Sequence, residues 1–198
     1  MTETLFQVKL GVQSINDMNT IPTLANPPLF IVPRNDCVEY TLAFLSVITN
    51  LQAIQLQHNS CINLHTNATQ IIDLFHIKYP NFHFEERTLS FQNLYNTLLP
   101  GHATFVGLYR PGQIGHAVIF AKDIGGNIYL IDKQQNIKFL NADIYTYLNY
   151  LNVTTTTLGV IVRIGLNPKP KSIPGGRGKQ KHTKHKSRKH KSRKYKKR

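Results

Sequence analysis

Tryptophan is absent from the sequence, and cysteine occurs only twice, as Cys37 and Cys61. Two thiols are too few to staple a small secreted fold, which excludes a disulfide framework and points to a reducing compartment. No apolar run approaches the roughly 20 residues that a spanning helix needs; runs such as residues 29–32 and 159–162 are short. At residues 1–13 no basic segment leads into an apolar one, so an export signal is not expected. Together these absences predict an intracellular, non-secreted protein with no membrane partner.

Acidic side chains are missing where the charge is highest. All 10 Asp and Glu lie before residue 166, beside 9 of the 24 Lys and Arg, while residues 166–198 hold the other 15 bases and no acid. The formal net charge of +14 therefore belongs to one end of the chain. An apolar fraction of 41% is that of a globular protein, and it is concentrated in residues 1–165. Residues 166–198 contain prolines, a tandem repeat of Lys-His-Lys-Ser-Arg and almost nothing to bury, so they are expected to form a disordered tail beside a single folded domain. Such a tail attracts polyanions. Lys184, Lys186, Arg188, Lys189, Lys191, Arg193, Lys194, Lys196, Lys197 and Arg198 are its candidate nucleic-acid contacts, without sequence readout.

Within the domain, residues 5–12 alternate like a strand, and residues 15–28, rich in Asn, Thr and Pro, read as a loop. From Cys37 the apolar residues Val38, Leu42, Leu45 and Ile48 or Leu51 recur at helical spacing, with Asn35 and Asp36 as caps before them. Further helices are expected over 68–77 and over 91–99, the latter between a Ser90 cap and the Pro100-Gly101 stop. Residues 103–110, 116–123 and 127–132 then read as an antiparallel meander, residues 141–151 as a helix and residues 155–164 as a last strand. Residues 52–65 and 79–90 are taken as loops. Helices first and most strands later define the class as α+β.

Cys37 sits where a polar turn becomes a helix. It is either a small apolar residue packed under that helix or a thiolate favoured by the unpaired amides of a helix N-terminus. His116 opens one strand and Asp132 ends the next, so a hairpin brings an imidazole and a carboxylate to one edge of the sheet. Two registers are open. A two-residue Gly125-Gly126 turn sets His116 opposite Gln135 and turns Asp132 away, which leaves Gln134 or Gln135 as the orienter. A loop one residue longer, or a glycine bulge, puts Asp132 on the face of His116; this second register is expected, because a carboxylate stabilises an imidazolium better than an amide does. Cys61, flanked by His58 and His65, makes a thin metal set and is read as a buried thiol. His76 and His83 are read as histidines without partner spacing.

A cysteine at a helix start, then Gly-His-Ala-Val at 115–118, then Ile-Asp-x-Gln at 131–134 resembles the papain-like fold. The likeness is strongest to the compact papain-fold hydrolases of large DNA viruses and bacterial toxins, among them proteases, deubiquitinases and glutamine deamidases. It implies a helix carrying the cysteine, packed on an antiparallel sheet. It also implies Cys37 as nucleophile, His116 as general base and acid, and Asp132 as orienter. Papain has a glutamine several residues before its cysteine to hold the oxyanion. Here Val32, Pro33 and Arg34 fill that stretch, which leaves Asn35 and the Cys37 backbone N–H as candidates. The expectation is a cysteine hydrolase of peptide, isopeptide or glutamine-amide bonds, needing no cofactor or metal and recruited to nucleic acid by its tail, in host cytoplasm, nucleus or virion. The rival is a non-catalytic viral structural or nucleic-acid-binding protein that uses the same scaffold.

Overall fold

The structure is a computed structural model describing residues 3–28, 36–58, 68–109, 115–153, 155 and 158–166. The chain divides into two units, Met1–Pro168 and Lys169–Arg198, and all described residues belong to the first. Asn35, Cys61 and His65, like every basic residue of 184–198, lie outside the described residues.

Six helices and eight strands occur among the described residues, in an α+β arrangement. The strands are β1 (Glu3–Leu5), β2 (Val8–Lys9), β3 (Phe82–Leu89), β4 (His102–Leu108), β5 (His116–Lys122), β6 (Ile128–Asp132), β7 (Ile137–Leu140) and β8 (Leu158–Leu166). They form one antiparallel sheet in the order β1-β8-β4-β5-β6-β7, with β2 also on β4 and β3 also on β8. The helices are α1 (Val12–Thr20), α2 (Cys37–Phe44), α3 (Asn50–His58), α4 (Ala68–Lys78), α5 (Phe91–Thr97) and α6 (Ala142–Tyr150).

Side-chain alternation along β5 shows how the sheet is covered on both faces. Ala117, Ile119 and Ala121 join a core with Met18, Val38, Leu42, Ile71 and Phe75 from α1, α2 and α4. Val118 and Phe120 point the other way, into a core with Leu94 of α5 and Ile144, Tyr147 and Leu148 of α6. Each such Val, Leu, Ile or Phe contributes about 1.5–3 kcal/mol on burial. A strand apolar on both faces must lie central, and β5 does.

Several expectations need correction. Residues 12–20 are helix α1, so residues 15–20 are not loop, because polar side chains bond within the helix: Gln13 Nε2 donates to Asp17 Oδ1 at 2.7 Å and Thr20 Oγ1 to the Asp17 carbonyl at 2.8 Å, while Met18 is buried. The single strand expected over 5–12 is two short ones, as the chain leaves β8 for β4. The helix from Cys37 stops at Phe44. Ser46 takes a positive φ of 56°, and Leu45, Val47 and Ile48 are buried in the link, so their helical spacing reflected a shared core and not one helix. A new helix then begins with a reciprocal pair, Thr49 N–H to Gln52 Oε1 at 2.8 Å and Gln52 N–H to Thr49 Oγ1 at 3.1 Å. Residues 52–58 are thus helical, and most of 79–90 is strand β3, paired along β8. Strand β7, absent from the sequence reading, is buried under α6 through Phe139, which stacks on Tyr147.

Candidate active site

The β5–β6 turn decides what meets at the other end of the two strands. Lys122 pairs with Ile128 and Ile119 with Ile131, a register that leaves a three-residue loop, Ile124 to Gly126, between Asp123 and Asn127. Gly126 takes φ 87°, which a side chain would strain. Asp123 ties the loop: its Oδ1 accepts the Asn127 N–H at 2.8 Å and its Oδ2 the Asn127 amide at 2.9 Å. With an odd loop, Asp132 shares the face of His116.

The two side chains are bonded, His116 Nε2 to Asp132 Oδ2 at 2.6 Å. Neither Gln134 nor Gln135 takes the carboxylate's place, which removes the amide alternatives raised by the shorter turn. Gln134 Nε2 donates to Asp36 Oδ1 at 3.1 Å, and the Gln135 backbone N–H donates to Asp132 Oδ1 at 3.0 Å. Asp132 is fully buried and takes a third bond from Tyr147 Oη at 2.7 Å. Burial works against a charged carboxylate here, but the His116 bond and charge, with Tyr147 and the Gln135 amide, outweigh it and hold Asp132 below the usual carboxylate range.

Helix α2 packs against β5 and brings Cys37, its first residue, to His116, whose ring is hydrogen-bonded to the thiol. With Nε2 on Asp132, Nδ1 is the ring nitrogen that faces the sulfur. Burial alone would lower the His116 pKa; the bonds and negative charges of Asp132 and Cys37 outweigh it and push it up to about 9. An imidazolium beside a thiol favours the thiolate, as do the amides at a helix start. The site lies where the two layers meet, since Cys37 belongs to the core under α1–α4 and Tyr147 to the core under α5 and α6.

Asp36 stands at the N-cap of α2 but makes no side-chain cap bond, contrary to its reading as a cap. Asn141, at the N-cap of α6, makes no side-chain cap bond either: its Oδ1 accepts the Ile128 N–H at 3.0 Å, pinning the start of β6. His76 and His83 do have partners. Their rings stack at 5.6 Å, and His76 Nε2 accepts the Phe84 N–H at 3.2 Å. Among the described residues, no group of three His, Cys, Asp or Glu could hold a metal ion, and no helix is long and apolar enough to cross a membrane.

Tyr147 was missed because its position, on the apolar stripe of α6 with Ile144 and Leu148, gives a core residue in any periodicity argument. The Asp36–Gln134 contact was missed for a different reason, since the two positions are 98 residues apart.

No protein-family model matches the chain, and no curated protein matches it. Among solved structures the chain is similar to the crystal structure of the Pseudomonas avirulence protein AvrPphB. The two are 12% identical, the match covers 68% of this chain and 97% of that one, and the TM-score is 0.40. A likeness of that size carries no functional weight.

Proposed function

We propose that the protein is a cysteine hydrolase of the papain-like kind, acting on an amide or isopeptide bond. The observation that carries this reading is the buried chain of hydrogen bonds from Cys37 through His116 and Asp132 to Tyr147. A thiol, an imidazole and a carboxylate in that order are nucleophile, base and orienter.

In the first step His116 Nδ1 holds the thiol proton and the Cys37 sulfur attacks the carbonyl carbon, with Asp132 stabilising the imidazolium. Backbone N–H groups at the start of α2 stabilise the charge that develops on the carbonyl oxygen. His116 then passes its proton to the leaving nitrogen, and the C–N bond breaks to give a thioester and a free amine. Water, deprotonated by His116, attacks the thioester and releases the acid, and the proton returns to the thiol.

The basic segment 166–198 serves, in this reading, to bring the hydrolase to nucleic acid or a nucleoprotein particle through phosphate contacts. Removing it is expected to abolish most binding to DNA or RNA and its salt dependence while leaving turnover on a small substrate intact. Persistent binding with a steep salt slope would place the contact on the folded domain.

A second reading is favoured by one observation: Cys37 is only 3% exposed, as a scaffold cysteine would be. The two separate in one experiment. Cys37→Ala and Cys37→Ser are expected to keep the fold and lose turnover on peptide, isopeptide and glutamine-amide substrates. If the wild type is as inert as both variants across all three classes, the scaffold reading replaces the hydrolase.

A further inference from the structure

An aspartate at an N-cap ordinarily folds its carboxylate over the first turn and accepts from an amide two or three residues on. Asp36 occupies that position with φ −116° and ψ 16°, and makes no such bond. Its Oδ1 accepts from Gln134 instead, and both residues are buried, at 9% and 8% exposure. Gln134 follows Asp132 by two positions, so this bond joins the helix of the cysteine to the strand of the carboxylate.

We propose that Gln134 is a positioning residue for the thiol: by holding the Asp36 carboxylate at the turn after β6, it keeps that carboxylate off the first amides of α2 and leaves them to Cys37. The inference rests on the reading of Cys37 as nucleophile. Were the carboxylate free to cap, it would occupy the amides that favour a thiolate and bring a negative charge toward the sulfur. The other charged groups on the elements packed here are Glu39 on α2, His116 and, at the far end, Lys122 on β5, and Asp132 and Lys133 at the end of β6; Lys122 is bonded to the Tyr95 carbonyl, and the Lys133 ammonium lies 5.9 Å from the Phe44 ring. Gln134→Met removes none of these charges.

The test is the pH midpoint of Cys37 alkylation by iodoacetamide in the full chain, read on the Cys37 peptide by mass spectrometry so that Cys61 does not interfere. Gln134→Met keeps the side-chain length and removes the donor. Its midpoint is expected to rise by about half to one pH unit, and adding Asp36→Ala, which removes both the charge and the cap, should bring it back to the wild-type value or below. Asp36→Ser supplies an independent comparison should the methionine variant fail to fold. Serine is a neutral cap that competes for the same amides, so its midpoint should lie above that of Asp36→Ala, which offers none. An unchanged midpoint in Gln134→Met, or equal midpoints in the serine and alanine variants, overturns the proposal. Alkylation needs no substrate, so turnover retained by Cys37→Ala would remove the hydrolase reading without obscuring these midpoints.

Discussion

Two strings of four polar residues cross this domain, and they differ in what surrounds them. Cys37, His116, Asp132 and Tyr147 run through its interior from α2 to α6. Glu3, Arg87, Glu85 and His83 run over β1 and β3 at the surface: Arg87 Nε meets Glu3 at 2.9 Å and its Nη2 meets Glu85, which also lies 3.4 Å from His83. The surface string is at least as rich in formal charge. Yet its side chains are 38–49% exposed, so water and salt replace whatever is lost when one pair breaks. In the interior nothing replaces a lost partner, and each bond both costs more to break and fixes geometry more tightly. Charge count says little; burial decides.

The largest break in this contrast is at Asp132. Asp132→Ala leaves His116 without its acceptor in a buried site, and a loss on the order of 3–5 kcal/mol is expected from chemical denaturation. Asp132→Asn keeps the shape but not the charge, and turnover should fall on the order of 10²- to 10⁴-fold. The pH dependence sharpens the point. His116 has a folded pKa of about 9, above its ordinary 6.5, so its contribution to stability is fully present below pH 6.5 and is lost as the pH rises through about 9. Asp132 is shifted down, so its contribution is present above its ordinary 3.8 and is lost as the pH falls through its lowered value. Asp132→Asn should flatten both arms of a melting-temperature profile. A profile that keeps its alkaline arm would show that Asp132 does not hold the His116 charge.

How much of this was legible divides between what is local in sequence and what is distant. The α+β class, the three-strand meander and the Ser90 cap, which accepts the Asn93 N–H at 3.2 Å, came from local spacing and were there to be read. The Asp132 register was open between two turns, and only the chemistry of an imidazolium favoured the right parity. Helix α1 was hidden because Asn, Asp and Thr favour loops unless they bond within a helix, as Gln13 and Thr20 do. The break after Phe44 was hidden by buried link residues that mimic helical spacing, although Thr49 and Gln52 spelled a capping pair. Tyr147 was hidden on the apolar stripe of α6, and Gln134, read only as an orienter of His116, was hidden in its actual contact because its partner Asp36 lies 98 positions away.

A smaller break is at Tyr147. Tyr147→Phe keeps the ring, its stacking on Phe139 at 4.2 Å and its burial, and removes only the hydroxyl that donates to Asp132. The carboxylate retains His116 and the Gln135 amide. The cost should be about 1–2 kcal/mol, read as a lower denaturation midpoint. With one donor fewer, Asp132 should take up a proton at higher pH, so the acidic arm of the stability profile moves upward. Turnover should fall less than in Asp132→Asn. An equal loss in the two variants would mean that the hydroxyl, and not the carboxylate charge, sets the orientation of His116.

The smallest effect is expected in the surface string, where Arg87→Ala removes two ion pairs at once. Arg87 and its partners are open to solvent, and Glu3, Glu85 and His83 can each regain hydration when the guanidinium goes. Strand β3 does not depend on them, since it is held along β8 by backbone pairing from Phe84 to Leu89 and buries Phe84 against Phe6 and Phe75. The melting temperature of Arg87→Ala should therefore match the wild type at 0.15 M salt and drop slightly only at low ionic strength, where screening is weak. A drop that persists in high salt would mean that this string is shielded from water after all, and that exposure alone does not separate the two.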